Sequence, residues 1–286
     1  MSQDSPHGQS PDHGVAQPTP AAEPTTREIL TEPAQMNPIS RLVNAVFSPG
    51  EMFTDVRRSP RDWIVPILVL VIVAGIAGYL AQYRFNLTPE VLAAAIVDMG
   101  LEGQGKTRKD LTEAEKKGVE MQEAGTVLFF KAAPVFVGFI LLLIVILYGS
   151  AYRLEVLMAQ ARTTFFRCIS VAAYAYCIPL TIKSLLQIVI SFIKSPEGVD
   201  PVGYIQSGGL ILASPAAFVS AKAHPVLFSL LSWVDVFSIW FLALAAIGIS
   251  IVCVKKVKTG TAVLIVVAPY LLFMLIDVGA KAMFAK

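Results

Sequence analysis

Charged residues are scarce in this chain. They make up 15% of the 286 residues, with 23 Lys and Arg against 21 Asp and Glu, whereas soluble domains contain about a quarter. The formal net charge of +2 is too small for a nucleic-acid surface, because phosphate binding requires a dense basic patch. The sequence therefore predicts no nucleic-acid partner.

Cysteine and histidine are also rare. The three cysteines form no C-x-x-C pair, and the three histidines are scattered, so neither a zinc site nor a disulfide framework is indicated. The G-x-x-x-x-G-K-S/T, G-x-S-x-G and H-E-x-x-H patterns are missing, and no paired carboxylates accompany a histidine. We therefore expect no catalytic, cofactor-binding or metal-binding residues, and a protein that is not an enzyme.

The N-terminal segment lacks apolar runs. Residues 1–36 are rich in Pro, Ser, Gln and Gly and cannot bury enough apolar surface to offset the entropy of ordering. They also lack the basic start and apolar core of a signal peptide. We expect a disordered tail, after which the first hydrophobic span acts as an uncleaved membrane signal.

Long apolar runs fill the rest of the chain, which is 55% hydrophobic with a mean hydropathy of +0.64. Five runs have about the 17–25 residues needed to cross a bilayer, and they cover residues 63–83, 132–150, 169–193, 226–252 and 262–280. A sixth run at 208–221 is shorter and contains Ser214-Pro215, which favours an interfacial or re-entrant segment. The sequence predicts an all-α, polytopic membrane bundle of about five transmembrane helices.

Basic residues concentrate in three of the segments that flank these runs. They are Arg41, Arg57, Arg58 and Arg61; Arg153, Arg162 and Arg167; and Lys255, Lys256 and Lys258. Cytoplasmic segments of membrane proteins carry such an excess of Lys and Arg. We therefore expect all three on the cytoplasmic side, with the N-terminus in the cytoplasm and the C-terminus outside.

Two amphipathic helices are predicted over residues 38–58, before the first span. Apolar residues at 39, 42, 43, 46 and 47 form one helical stripe after the N-cap Asn37. Ser48 and Glu51 have the spacing of a capping box for a second helix. The pair either lies in the membrane interface or packs on the cytoplasmic end of the bundle. Its candidate interfacial or partner contacts are Phe47, Ser48, Pro49, Glu51, Phe53, Arg57, Arg58 and Arg61.

The outer connection over residues 84–131 has helix signals of its own. Thr88 precedes Pro89 and an apolar stripe, and Thr112 with Glu115 forms a second capping box before a helix that leads to the second span.

In the first and fourth spans, Ala74 with Gly78 and Ala246 with Ser250 have the small-xxx-small spacing of close helix contacts.

Three ionisable residues fall inside predicted spans, namely Lys183, Asp235 and Asp277. A charge in hydrocarbon costs at least about 2.5–3.5 kcal/mol and normally faces a partner. Lys183 and Asp235 lie roughly 15 and 13 Å from the outer ends of their spans. We expect an ion pair between them, with Asp277 as a candidate third member. The pair either fixes helix register, which we favour, or lines a proton or solute path.

Two stretches carry a family resemblance. The segment F-S-P-G-E-M-F at 47–53 resembles the F-x-S-P-x-E-x-F motif of bacterial members of the Yip family (Ypt/Rab-interacting proteins). The segment T-F-F-R at 164–167, followed by A-A-Y-A-Y-C-I-P at 172–179, is similar to that family's basic approach and A-Y-x-x-x-P core. In this core, Pro179 is expected to bend the third span near Lys183.

The resemblance covers about residues 38–280 and implies a five-helix membrane domain over residues 37–286. Eukaryotic relatives in this family act in vesicle trafficking with Rab-type GTPases, as partners and membrane-shaping scaffolds. For this chain the resemblance implies a multi-pass protein of the bacterial inner membrane that organises lipids or protein partners. The alternative is a small-solute or ion transporter that uses the intramembrane charges, although no inverted repeat supports it.

Overall fold

Helices account for the regular structure of the chain. The computed structural model describes residues 33–220, 223–254 and 257–284, so most of the predicted disordered tail, up to residue 32, lies outside it. This part of the chain has no strand, which confirms the predicted all-α class. Its α-helices are α1 (Pro38–Phe47), α2 (Pro49–Arg58), α3 (Val65–Phe85), α4 (Pro89–Gly103), α5 (Glu113–Met158), α6 (Phe165–Ile193), α7 (Pro201–Ser207), α8 (Pro225–Ser232), α9 (Val236–Val252) and α10 (Thr259–Phe284).

Four of these helices contain a continuous stretch that is long and apolar enough to cross a bilayer. These stretches are Val65–Phe85, Phe136–Met158, Phe165–Ile193 and Thr259–Met283. A fifth crossing is formed if α8 and α9, which are bent by 43° at a short break, act as one span. The described helices therefore form a polytopic membrane bundle, and the helix predicted as the fourth span at 226–252 is interrupted between α8 and α9.

Helix α6 lies at the centre of the bundle and packs against α3, α5 and α9. Small side chains in its first half, including Ala172, Ala173 and Ala175, are completely buried. At Gly149 the backbones of α5 and α6 come so close that a Cβ atom would lie 2.8 Å from the Cα of Ile169. Small residues allow this approach, which strengthens dispersion contacts where no hydrophobic effect drives helices together.

The two amphipathic helices and two interhelical links meet at one end of the bundle. Ser170 Oγ donates to the carbonyl of Pro60 (3.2 Å), and Val254 N–H donates to the carbonyl of Arg162 (2.8 Å). We call this end, formed by α1, α2, residues 159–164 and residues 253, 254, 257 and 258, the arginine end; Lys255 and Lys256 lie outside the described residues. The structure thus brings the described parts of the basic segments to one end of the bundle, while their cytoplasmic orientation stays a prediction.

The opposite end, which we call the far end, carries α4, the polar first half of α5, and residues 194–220, 223 and 224. Thr88 caps α4, and Thr112 and Glu115 form both bonds of the capping box that begins α5, as the sequence indicates. Arg108 joins these helices through Asp98 (2.6 Å) and Glu123 (2.9 Å). Helix α5 then runs 46 residues into the bundle without a break.

Residues 208–220 of the short apolar run form no spanning helix, and Ala221 lies outside the described residues. The run contains a 3-10 turn at Pro215–Phe218. It packs against α8, and the carbonyl of Ala213 accepts a hydrogen bond from Val236, the first residue of α9. This irregular segment therefore reaches the break in the fourth span.

Two local predictions are wrong. Ser48 makes no side-chain capping bond, because it is shared between the end of α1 and the start of α2 and its backbone is not in the extended cap geometry. A Cβ on Gly78 would meet nothing within 4 Å, so the Ala74–Gly78 pair is not a tight contact. The close approaches occur at Gly149 and Gly248 instead, since these residues face buried neighbours.

The substitution Gly149→Ala should destabilise the bundle by about 1–3 kcal/mol, because α5 and α6 must separate to admit the methyl group. Gly78→Ala is the matched control, since it adds the same group to a helix where there is room, and it should leave stability unchanged or slightly raised. Equilibrium unfolding by dodecyl sulfate in mixed micelles measures both. Equal stability of the two variants would contradict the close α5–α6 contact.

Candidate functional site

Helix α2 is a structural element of the arginine end. Met52, Phe53 and Val56 are completely buried, and the helix packs against α9. At Gly248 of α9, an added Cβ would lie 2.9 Å from the ring of Phe53. Of the two arrangements that the sequence left open, α2 therefore takes the one in which the helix packs on the bundle.

A buried ion pair joins α1 to α2. Arg41 is fully buried, and its Nε donates to Oδ2 of Asp55 at 2.7 Å. Its two terminal nitrogens donate to the carbonyls of Arg61 (3.1 Å) and Ser59 (3.0 Å). Asp55 also accepts the backbone N–H of Gln35 (2.7 Å), which lies in the last part of the predicted tail. These bonds satisfy both charges, which is the condition for burying them.

Helix α1 exposes the opposite, apolar face. Ile39, Val43 and Phe47 are 73%, 51% and 81% exposed. Their spacing of four residues places them on one side of the helix, while Arg41 and Ala45 are buried on the other. Since the Arg41–Asp55 pair fixes the rotation of α1, the exposed stripe has a defined direction.

The remaining predicted contact residues lie around this pair of helices. Pro49 begins α2, Glu51 is exposed in its first turn, Arg57 and Arg58 are half-buried in its last turn, and Arg61 is exposed beyond it. Arg153 and Arg167, which the sequence placed in a loop, belong to α5 and α6 because these helices extend further than predicted. The arginine end thus combines α1 with basic side chains from three helices.

The cysteine side chains are buried. Cys253 follows α9 and is buried, as are Cys168 and Cys177. Burial raises the pKa of Cys253 to about 11, and the opposing effect of Arg57, Arg167 and Arg153 is smaller. A thiol that stays protonated is a poor nucleophile and metal ligand. Among the residues that the structure describes, no group of three His, Cys, Asp or Glu is arranged to hold a metal ion.

Asp277 lies in a polar cluster between α8 and α10. Its Oδ2 accepts bonds from Lys281 Nζ (3.0 Å), Ser229 Oγ (3.0 Å) and Trp233 Nε1 (2.9 Å). Lys281 also reaches Ser229 Oγ at 3.0 Å. The cation beside Asp277 is therefore Lys281, four residues further along the same helix, and not Lys183. The i, i+4 spacing of Asp277 and Lys281 is a signal that the sequence offers for this pair.

Asp235 lies at the break between α8 and α9, where it caps α9 by accepting the N–H of Ser238 through Oδ1. Two further bonds satisfy the interrupted backbone. Val236 N–H donates to the carbonyl of Ala213 (3.4 Å), and the hydroxyl of Tyr270 donates to the carbonyl of Trp233. Non-helical backbone is tolerated at membrane depth only where protein groups satisfy it in this way.

The predicted Lys183–Asp235 ion pair is not formed between these two described residues. The Nζ of Lys183 lies 6.0 Å from the ring centroid of Phe237 instead. The prediction assumed a continuous fourth span, whereas the break directs the Asp235 carboxylate to the start of α9.

Pro179 lies inside α6, one turn before Lys183, and deprives the carbonyl of Ala175 of its usual helical donor. The bend expected at this residue stays a prediction.

Next to the break, the helices form a half-open cavity of about 430 Å³. Its wall comes from α5, α6, the break, α9 and α10, and seven of its fourteen residues are aromatic. These are Tyr148, Tyr176, Trp233, Phe237, Phe241, Tyr270 and Phe273. Asp235 and Pro179 are the two predicted site residues that line it, whereas Lys183 and Asp277 do not.

Sequence reasoning missed the Arg41–Asp55 pair and the aromatic cavity. The ion pair had a weak signal in the sequence, since Asp55 is an acidic residue among the apolar positions of α2 that become buried. The cavity had no signal in the sequence, because its rings come from four separated helices. Long-range contacts of this kind depend on how the helices pack.

Comparison with protein-family models gives one match, to the Yip1 domain, over residues 43–279. Comparisons with curated proteins and with solved structures give no match. The family match covers the described spans from α3 to most of α10, and it begins inside α1. It therefore includes Asp55 and the whole aromatic cavity, but not Arg41.

Replacing one partner of the buried ion pair should strongly destabilise the protein. Asp55→Asn leaves the Arg41 guanidinium buried without its carboxylate, which typically costs about 3–5 kcal/mol. Glu113→Gln is the control, because it removes the same charge from an exposed i, i+3 pair with Lys116 and should have little effect. Dodecyl sulfate unfolding reports both, and an Asp55→Asn variant as stable as Glu113→Gln would contradict the structural role of the pair.

Proposed function

The chain belongs to the Yip1 domain family, and from this premise we propose that it is a non-enzymatic organiser of the membrane in which its helices lie. The exposed apolar stripe of α1, held in a fixed direction by a buried ion pair, is the observation that carries this proposal. The bundle provides the anchor, and α1 provides the surface that meets lipid.

The stripe suits the boundary between headgroups and acyl chains. A helix with one apolar face and a polar opposite face lies in the membrane plane with its apolar side buried. Ile39, Val43 and Phe47 face away from the protein, while the adjoining spans expose long apolar side chains along their length. Both surfaces are apolar and exposed, as contact with lipid requires.

The arginines next to α1 match anionic headgroups. Arg57 and Arg153 both lie within electrostatic range of the Cys253 thiol and are half-buried, whereas Arg167 in the same region is fully buried and does not face lipid. Arg61 is exposed nearby, with its carbonyl bound to Arg41. Basic clusters close to a membrane surface attract anionic lipids by about 1 kcal/mol per residue. On this proposal the arginine end faces the cytoplasm, and the membrane is the bacterial inner membrane.

The rigid attachment of α1 distinguishes this arrangement from a mobile anchor. Arg41 is bonded to Asp55 of α2 and to the carbonyls of Ser59 and Arg61, and α2 is itself buried against α9. A helix held in this way inserts at a fixed position relative to the spans. It can shape the adjoining leaflet, and it can present the same face to a protein partner in the membrane.

The proposal predicts that position 47 lies in lipid and position 54 in water. Spin labels on Phe47→Cys and Thr54→Cys test this in vesicles, since both sites are exposed and the three native cysteines are buried. The label at position 47 should collide more often with oxygen than with a water-soluble nickel chelate, and the label at position 54 should show the reverse. Water accessibility at both sites would overturn the placement of α1.

The organiser function is tested in native membranes with a photo-reactive phenylalanine at the same two positions. Cross-links from position 47 to anionic lipid or to one reproducible membrane protein, absent from position 54, are the expected result. The same products from both positions would contradict a specific role for the stripe.

A transporter is the second candidate, because the fourth span is broken at membrane depth with an acidic residue at the break. Discontinuous helices of this kind form substrate sites in many transporters. Flux of ions or small solutes into vesicles, abolished by Asp235→Asn, would favour it over the organiser.

A further inference from the structure

We infer that the aromatic cavity at the broken fourth span binds an organic cation, such as a substituted ammonium group on a small apolar body. The site combines a wall of aromatic rings with a single carboxylate. The inference does not depend on the organiser function, because the cavity lies well away from α1.

The cavity has the depth of a membrane-embedded site. Tyr148 is ten residues from the end of α5 at the arginine end, or about 15 Å, and Asp235 is 17 residues from the end of α9, or about 25 Å. If the hydrocarbon core is about 30 Å thick, the cavity then lies in the half of the bilayer nearer the far end of the bundle. Its volume of about 430 Å³ is in the usual range for small-molecule sites.

The wall is held together before any ligand arrives. Tyr148 contacts Phe241 and Phe273 edge to face, with centroids 5.3 and 5.1 Å apart, and Phe241 packs on Tyr176 at 5.6 Å. Trp233 and Tyr270 pack edge to face at 5.3 Å and are also linked by a hydrogen bond. A preorganised wall loses little conformational entropy when a ligand binds.

The charge on the wall is of one sign. Among the described residues that line the cavity, Asp235 is the only Asp or Glu, and none is Lys, Arg or His. In the described part of the chain Asp235 makes no ion pair with Lys183, and Asp277 is occupied by Lys281. Through Oδ1 the carboxylate accepts the capping bond of Ser238 at the start of α9. The Asp235 charge therefore remains available to a cation that enters the cavity.

The aromatic rings of the cavity also favour a cationic ligand. The faces of Trp, Tyr and Phe attract cations, and cages of such rings bind quaternary ammonium groups in particular. A neutral apolar molecule would gain from the rings but would leave the carboxylate without a partner. An anion would be repelled by Asp235. The chemistry of the wall thus selects a cation with an apolar body.

Equilibrium dialysis of benzyltrimethylammonium against the full-length protein in lipid nanodiscs tests the inference, with empty nanodiscs as the blank. Benzyldimethylamine N-oxide, which has nearly the same shape but no net charge at neutral pH, is the matched ligand. We expect saturable binding of the cation that is at least about tenfold tighter than that of the N-oxide.

The matched protein variants are Asp235→Asn and Asp200→Asn. Both residues cap a helix by accepting the N–H three residues ahead, and Asn retains that bond, so each change removes one charge and keeps the local fold. Asp235→Asn should weaken cation binding at least about tenfold and leave N-oxide binding unchanged, whereas Asp200→Asn, outside the cavity, should change neither.

A second variant separates the rings from the charge. Phe273→Leu keeps an apolar side chain on the wall but removes an aromatic face, and it should weaken cation binding several-fold. No saturable binding of the cation, equal binding of the two ligands, or unchanged binding to Asp235→Asn would each overturn the inference. Equal binding would identify the cavity as a site for neutral apolar molecules instead.

Discussion

A bilayer offers the polypeptide no water for hydrogen bonds, and the rest of this structure follows from that constraint. Every backbone group in the hydrocarbon must find a partner within the protein, which accounts for the long helices. The same constraint explains the break in the fourth span. There Ala213, Tyr270 and Asp235 each bond a group that the interrupted helix leaves without a partner.

Ionisable side chains also find their partners within the protein, and the partner differs from site to site. Arg41 and Asp55 are buried together at the arginine end, where each is fully bonded. Asp277 is paired with Lys281 on its own helix. Asp235 instead makes a helix cap beside a cavity. The first two arrangements fix helices in place, and the third leaves a carboxylate facing a ligand-sized space.

The two ends of the bundle therefore suit different tasks. At the arginine end, α2 is buried, and α1 presents an apolar stripe beside basic side chains. Toward the far end, the interrupted helix and aromatic rings from the neighbouring helices line a half-open cavity. Lipid or a partner protein can meet the first surface while a small molecule occupies the second, because separate sets of residues form them.

The sequence by itself determined the all-α membrane bundle, its family and several helix starts, because these depend on local apolar runs and short motifs. Thr88, Thr112 and Asn37 cap the helices that they precede, since capping needs only residues three apart. Tertiary structure alone decided which charges are paired between different helices. The sequence matched Lys183 with Asp235 by depth along straight helices, and the break at residues 233–235 removed that match. Tertiary structure also decided that α2 is buried and that rings from four helices share one cavity. Such contacts depend on the relative positions of helices far apart in the chain.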